Sequence, residues 1–394
     1  MRFIFALIIL LTFNCRSQID IDSFLNFIPS EKEIGCMSNF QPTAQQNNIF
    51  NHYVLSKLSE TMYPERLDYM FRYFQNDRKQ IDSIPSTSWL KKNPILKEAH
   101  FENAFMRRFE HMFPTSDSVQ FKYLFATRYL KNAFGKERKL GLDPELIVIT
   151  TARYIIIVFR GTDLMENNHL GEWIGTDFNA LKTSKSAFFT KGRVHKGFNE
   201  SLELISPILE SYLKQIDAIS KPIWVTGHSL GGAMGILSAI RLSEIGYTIE
   251  QVPVFATPNS LGNRKFVKSI DQTIFNRIER YEFNMDPFTM LWIPGYSFFG
   301  KRNFILDDYR IMLNIPHRTF NYNKYKPKEN TLRKDIYKLA FQKNVFKLPY
   351  QVYHHNPPWY TRTLFYLLNS DQKNHCPDLD VSFPFFYYGW SKSK

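Results

Sequence analysis

The sequence predicts an α/β fold built on a mostly parallel sheet, and three observations carry that expectation. Short runs rich in β-branched residues begin after Gly141 and recur at Ile147–Thr150, Ile155–Arg160, Ile223–Thr226, Val252–Ala256 and Ile278–Phe283. Helical stretches separate the later runs, and strands alternating with helices favour parallel neighbours joined by right-handed crossovers. The run Ile155–Arg160 is apolar on both faces, as a strand covered by helices on each side has to be.

The chain has 394 residues, 44% hydrophobic and 22% charged. That balance is globular, far from the charge-rich signature of disorder, and supports one large domain with insertions. At the N-terminus, Met1-Arg2 and the apolar run Phe3–Phe13 read as the charged and apolar regions of an export signal. The run is too short to span a bilayer, which takes roughly 20 residues. Cys15-Arg16-Ser17 offers a cut before Gln18, so residues 1–17 are expected to be removed and the protein exported. The alternative is a lipid anchor at Cys15, a pattern that Phe13 and Asn14 fit poorly. Cys36 and Cys376 would remain, either bridged, which an oxidising compartment permits, or as two free thiols.

The formal charge of +13 raises two classes of partner, nucleic acid and anionic membrane, and export argues against the first. The densest basic stretch, Lys324 to Lys347, carries eight Lys or Arg against Glu329 and Asp335, with Leu332, Ile336, Leu339 and Ala340 at helical spacing. Such a helix either packs on the core with its charges in solvent or makes transient contact with a membrane surface.

Ahead of the sheet, residues 18–140 read as a helical flank. Phe50, Val54 and Leu58 share one face, Leu67, Met70, Phe71 and Phe74 a second, Phe105, Phe109, Met112 and Phe113 a third, and Phe121, Leu124 and Phe125 continue the pattern. Residues 141–394 then form the core that carries the chemistry, with a basic insert at about 324–350.

The chemistry is concentrated at Pro222-Ile-Trp-Val-Thr-Gly227-His228-Ser229-Leu230-Gly231-Gly232. A strand runs into Gly-x-Ser-x-Gly, and a helix follows from about Leu230 to Ile245, with Gly246 as its stop. This is the context a nucleophile elbow requires, with the serine on a strained turn beside a helix N-terminus that favours a developing oxyanion. A glycine-rich strand-to-helix turn also serves phosphate loops, but no lysine stands in that position here and the spacing does not match a dinucleotide fingerprint.

Four blocks together resemble the class 3, fungal-type lipases, a branch of the α/β-hydrolases. They are Ile155–Asp163, Val194-His195-Lys196-Gly197-Phe198, Gly227–Gly232, and Val254–Asn259 leading to Gly262-Asn263. A fifth, Asn284-Met285-Asp286-Pro287 followed by Leu291 and Pro294, comes after the next strand. The resemblance spans about residues 145–300 and implies an α/β-hydrolase with the backbone amides of Thr162 and Leu230 as its oxyanion hole. It also implies Ser229 as nucleophile, Asp286 as triad acid in the chain order Ser, Asp, His, and a histidine base that opens a helix with an aromatic residue five positions on. His355 with Tyr360 fits; His375, His354 and His317 are the alternatives.

The same resemblance makes Asp163–Asn179 a lid, with Leu164, Met165, Leu170, Trp173 and Ile174 as its apolar side; a fixed surface loop is the plainer reading. Arg160 reads as an ion pair holding the oxyanion loop, His195 as a buried structural histidine and His228 as packing. The implied reaction is ester hydrolysis through an acyl-serine, on a lipid or other ester substrate, with no metal or organic cofactor. A phospholipase or acyltransferase would use the same triad, and an inactive lipase-fold binding protein would keep the fold without the base. Nothing in the sequence specifies an oligomeric state.

Overall fold

The alternation read after Gly141 becomes an eight-stranded sheet whose spatial order is also its chain order. A computed structural model describes residues 35–43, 48–62, 109–114, 117–126, 129–131, 137–139, 144–161, 183–283, 286–290, 295–297, 299–305, 311–312, 355 and 357–375. The strands are β1 Gln120–Phe125, β2 Glu145–Thr150, β3 Ile155–Phe159, β4 Ile223–His228, β5 Ile249–Phe255, β6 Ile278–Phe283, β7 Lys301–Ile305 and β8 Ile311–Met312. Strands β3 to β7 run parallel, while β1, β2 and β8 add antiparallel neighbours at the two ends. The helices are α1 Ile49–Thr61, α2 Lys196–Gln215, α3 Leu230–Glu244, α4 Arg264–Ser269, α5 Gln272–Arg277, α6 Pro287–Met290, α7 Pro357–Leu367 and α8 Ser370–His375. This is the α/β-hydrolase architecture, a mostly parallel sheet between helical layers.

The pleat sorts the core into two layers. From β3, Ile156 and Val158 join Trp224 of β4 and Tyr281 of β6 against α1 and α7, whereas Ile155, Ile157 and Phe159 face α2 and α3 with Val225, Leu202 and Ile236. Both faces of β3 are therefore dry, which explains its unbroken Ile-Ile-Ile-Val-Phe sequence. Helix α1 is capped by the Asn48 side chain, which accepts from the Asn51 amide at 3.0 Å. It is buried on every side from Phe50 to Thr61, its Phe50, Val54 and Leu58 face as read from the sequence.

One stretch differs from the sequence reading. Phe121, Leu124 and Phe125 do not continue a helical flank; they lie in β1, antiparallel to β2. Their spacing imitates a helix, but the period that wins is two: Phe121, Tyr123 and Phe125 pack on the α1 side and Leu124 on the other. Strands β7 and β8 were not legible because Lys301-Arg302-Asn303 looks polar. In the fold, Arg302 donates to Glu282 at 2.6 Å and Asn303 to Glu279 at 3.0 Å, so polar partners on β6 take the place of apolar contacts.

Cys36 is buried and disulfide-bonded; the other two cysteines, Cys15 and Cys376, lie outside the described residues. The expected signal segment 1–17, the Leu67–Phe74 helix and the basic insert at about 324–350 also fall outside them. Among the described residues, no helix is long and apolar enough to cross a membrane.

Candidate active site

Strand β4 ends at His228 and helix α3 begins at Leu230, which leaves Ser229 alone in the turn at φ 57° and ψ −125°. A non-glycine residue there carries strain on the order of 1–3 kcal/mol and persists only where its surroundings impose it. The surroundings are two glycines at closest approach. A Cβ added at Gly227 would lie 2.8 Å from the Gly232 amide nitrogen, and one at Gly231 would lie 2.6 Å from the carbonyl carbon of Arg160. The elbow is pinned to the sheet by the Ser229 amide donating to the Phe255 carbonyl at 2.8 Å. The Gly231 contact also brings the first turn of α3 against the end of β3. There the Arg160 amide donates to the Glu145 carbonyl at 2.9 Å and its guanidinium pairs with the Glu145 carboxylate at 2.5 Å.

The structure brings together three residues remote in the chain. His355 Nε2 lies 2.7 Å from Ser229 Oγ, and its Nδ1 lies 2.9 and 3.0 Å from the two oxygens of Asp286. A carboxylate only accepts, so Nδ1 carries the proton and Nε2 is left to accept from the serine hydroxyl. Asp286 follows β6 directly, its amide donating to the Phe283 carbonyl at 2.9 Å. Three donors surround its side chain: His355 Nδ1, the Phe288 amide at 2.9 Å and the Tyr360 hydroxyl at 2.5 Å. Tyr360 is wholly buried, and burial together with the nearby Asp286 charge pushes its phenol well above the usual tyrosine range, so it stays a donor.

Of the other candidate bases, His317 and His354 lie outside the described residues, and His375 closes α8. Leu230 opens α3, where the first backbone amides of a helix have no partner within it. Thr162 and the expected lid at 163–179 lie outside the described residues. Ser229 and His355 are each only 2% exposed.

Two histidines read as structural have more defined places than sequence alone gave them. His195 ends a short strand paired with Thr183–Ser184 and caps α2, its Nδ1 accepting from the Phe198 amide at 3.5 Å. Burial lowers its pKa from 6.5 to about 4, so it is neutral in ordinary conditions. His228, assigned to packing, points its Nε2 at the backbone carbonyl of His355 at 2.7 Å. Neither that bond nor the one from Tyr360 to Asp286 was found from sequence; the only signal for Tyr360 was its offset from His355. Among the described residues, no group of three His, Cys, Asp or Glu side chains is arranged to hold a metal ion.

Residues 156–293 match the family model for class 3 lipases, the stretch from β3 through Asp286 that the sequence resemblance singled out. Over 132 residues the chain is 31% identical to lipase ZK262.3 of Caenorhabditis elegans, a match covering 33% of this chain and 35% of that protein. The chain thus spans about a third of the length of the curated relative it matches. Among solved structures it is similar to Rhizomucor miehei lipase in its propeptide complex, at 21% identity, 68% and 70% coverage of the two chains and a TM-score of 0.41. It is also similar to the lipase of Rhizopus microsporus var. chinensis, at 17% identity, 67% and 76% coverage and a TM-score of 0.40.

Proposed function

We propose, from a segment of the class 3 lipase kind at residues 156–293, that this protein is a serine hydrolase cleaving lipid esters through an acyl-serine. The observation that carries the proposal is the unbroken chain of hydrogen bonds from Ser229 Oγ through His355 to Asp286, each 2.7 to 3.0 Å long. A serine hydroxyl is a weak nucleophile until a neighbouring base takes its proton, and an imidazole does so when a carboxylate holds its tautomer and stabilises the imidazolium.

In the proposed reaction Ser229 Oγ attacks the ester carbonyl as its proton passes to His355 Nε2. The amide of Leu230, with that of Thr162, holds the oxyanion; losing one such donor typically costs about 10²–10³ in rate. Collapse expels the alcohol, which takes the proton from His355. Water, deprotonated in turn by His355, then attacks the acyl-serine and releases the acid. Asp286 keeps the imidazole oriented throughout, its own side chain held by three donors.

Export through a signal at residues 1–17 is part of the same reading, and the disulfide at Cys36 supports an oxidising compartment. Residues 18–140 then pack on the 141–394 core and add β1 to its sheet, and the basic insert at about 324–350 gives a transient contact with a membrane surface. The test is a hydrolysis panel of triglyceride, monoglyceride, phospholipid and small soluble esters, run beside Ser229→Ala. The proposal expects turnover of lipid esters that vanishes in the variant, and the preferred head group separates a triglyceride lipase from a phospholipase. Variant turnover close to the unmodified protein's would remove Ser229 from the mechanism, and an unmodified protein inert on the whole panel would favour a binding protein.

A further inference from the structure

We propose that His228 is a positioning residue for the base, tethering the backbone of His355 to the nucleophile elbow; the idea rests on the serine-hydrolase reading above. The two residues are 127 positions apart, yet His228 Nε2 lies 2.7 Å from the His355 carbonyl oxygen. A carbonyl only accepts, so this nitrogen carries the proton and His228 donates. Its side chain leaves β4 on the face that carries Trp224 and Thr226, toward α7. There its ring sits 5.0 Å from the His355 ring and edge-on to Tyr360 at 6.0 Å. The Phe288 ring also lies against that of His355, at 4.4 Å between centroids, so the base has two aromatic neighbours and its backbone is held from one of them.

The geometry gives this bond a task that the triad bonds cannot perform. Ser229 and His355 reach each other across 126 positions through a side-chain hydrogen bond whose proton moves in every cycle. When His355 hands its proton to the leaving alcohol, that bond no longer sets the distance between nucleophile and base. The tether does not take part in proton transfer, and it starts from the residue next to the nucleophile. It therefore keeps the backbone of the base in register with Ser229 through acylation and deacylation alike. The local sequence increases the need: Pro357 and Pro358, two and three positions on, carry no amide hydrogen and cannot fix this turn by backbone donation. A misplacement on the order of 1 Å at a reacting centre costs about 10²-fold in rate, so a single bond at this place has leverage.

The donor is separated from the ring by two substitutions. His228→Phe keeps an aromatic ring against Tyr360 and removes the donor; His228→Gln loses the ring and carries an amide nitrogen at about the reach of Nε2. On a soluble ester, the proposal expects His228→Phe to lower kcat about tenfold or more with KM within about twofold. The rate of Ser229 labelling by a fluorophosphonate should fall in parallel, and His228→Gln should recover most of both. A role in packing alone predicts the opposite ranking, with the aromatic variant closer to the unmodified protein. Thermal unfolding checks that each variant is folded; if His228→Phe is not, His228→Met makes the same comparison with His228→Gln. Kinetics of the donor-less variant within twofold of the unmodified protein, or no recovery in the Gln variant, overturns the tether. An unmodified protein that neither hydrolyses the ester nor labels at Ser229 overturns the hydrolase reading instead, and the tether with it.

Discussion

Acid should destabilise this protein through His195 in a way that one substitution removes. His195 is 4% exposed, its ring stacked on Phe198 at a centroid distance of 4.1 Å and its backbone amide bonded to the Leu261 carbonyl at 2.8 Å. As the cap of α2 it serves as an acceptor, so a proton on Nδ1 would cancel the cap and set a positive charge at the positive end of the helix. Burial lowers its pKa from 6.5 to about 4. The folded state therefore binds the proton more weakly than the unfolded one. Its contribution is complete above pH 6.5 and is lost as pH falls toward 4. At about 1.4 kcal/mol per tenfold in proton affinity, the displacement from 6.5 to about 4 comes to about 3 kcal/mol. His195→Asn retains a capping oxygen and does not titrate. Urea unfolding of both proteins at pH 7.5, 5.5 and 4 should show the unmodified protein losing about 3 kcal/mol relative to the variant across that range. Parallel stability curves would refute the reasoning, because the carboxylates common to both cancel in the comparison.

Two further outcomes follow from the site and its surroundings. Tyr360→Phe removes a donor from the buried Asp286 carboxylate, a bond of a kind worth about 1.5–3 kcal/mol, so kcat should fall roughly 10- to 100-fold with KM little changed; unaltered kcat would show that Asp286 does not need it. Cys36 is disulfide-bonded and shares a core cluster with Leu364 and Leu368 of the segment that leads through α8 to Cys376. Peptide mapping without reductant should recover Cys36 joined to Cys376, and a Cys36 peptide joined to Cys15 would contradict that pairing.

Much of the fold was legible because its signals are local. The runs at 147–150, 155–159 and 223–226 all lie in strands, since each is covered on both faces and is mostly apolar, and 278–283 lies in one despite its charged residues. The elbow was legible for a related reason: Gly227 and Gly231 are demanded by backbone contacts, and no other residue fits. What escaped depends on partners far along the chain. Strand β7 looked polar because its partners, Glu279 and Glu282, come from β6. Strand β1 was taken for helix because Phe121, Leu124 and Phe125 stand at helical spacing, and only pairing with β2 shows that the side chains alternate between faces. His228 and Tyr360 carry no local mark of what they bond, since His355 and Asp286 reach them only through the fold. His355 itself came from family likeness, because the stretch between it and Asp286 has no periodicity that fixes its register.

The central claim is that the hydroxyl of Ser229 is activated by His355. It is tested most directly by treating the unmodified protein and His355→Ala with a fluorophosphonate and locating the adduct by mass spectrometry. The account predicts a stoichiometric adduct on Ser229 in the unmodified protein and almost none in the variant. An adduct on another residue, or labelling of Ser229 that persists without His355, would contradict it.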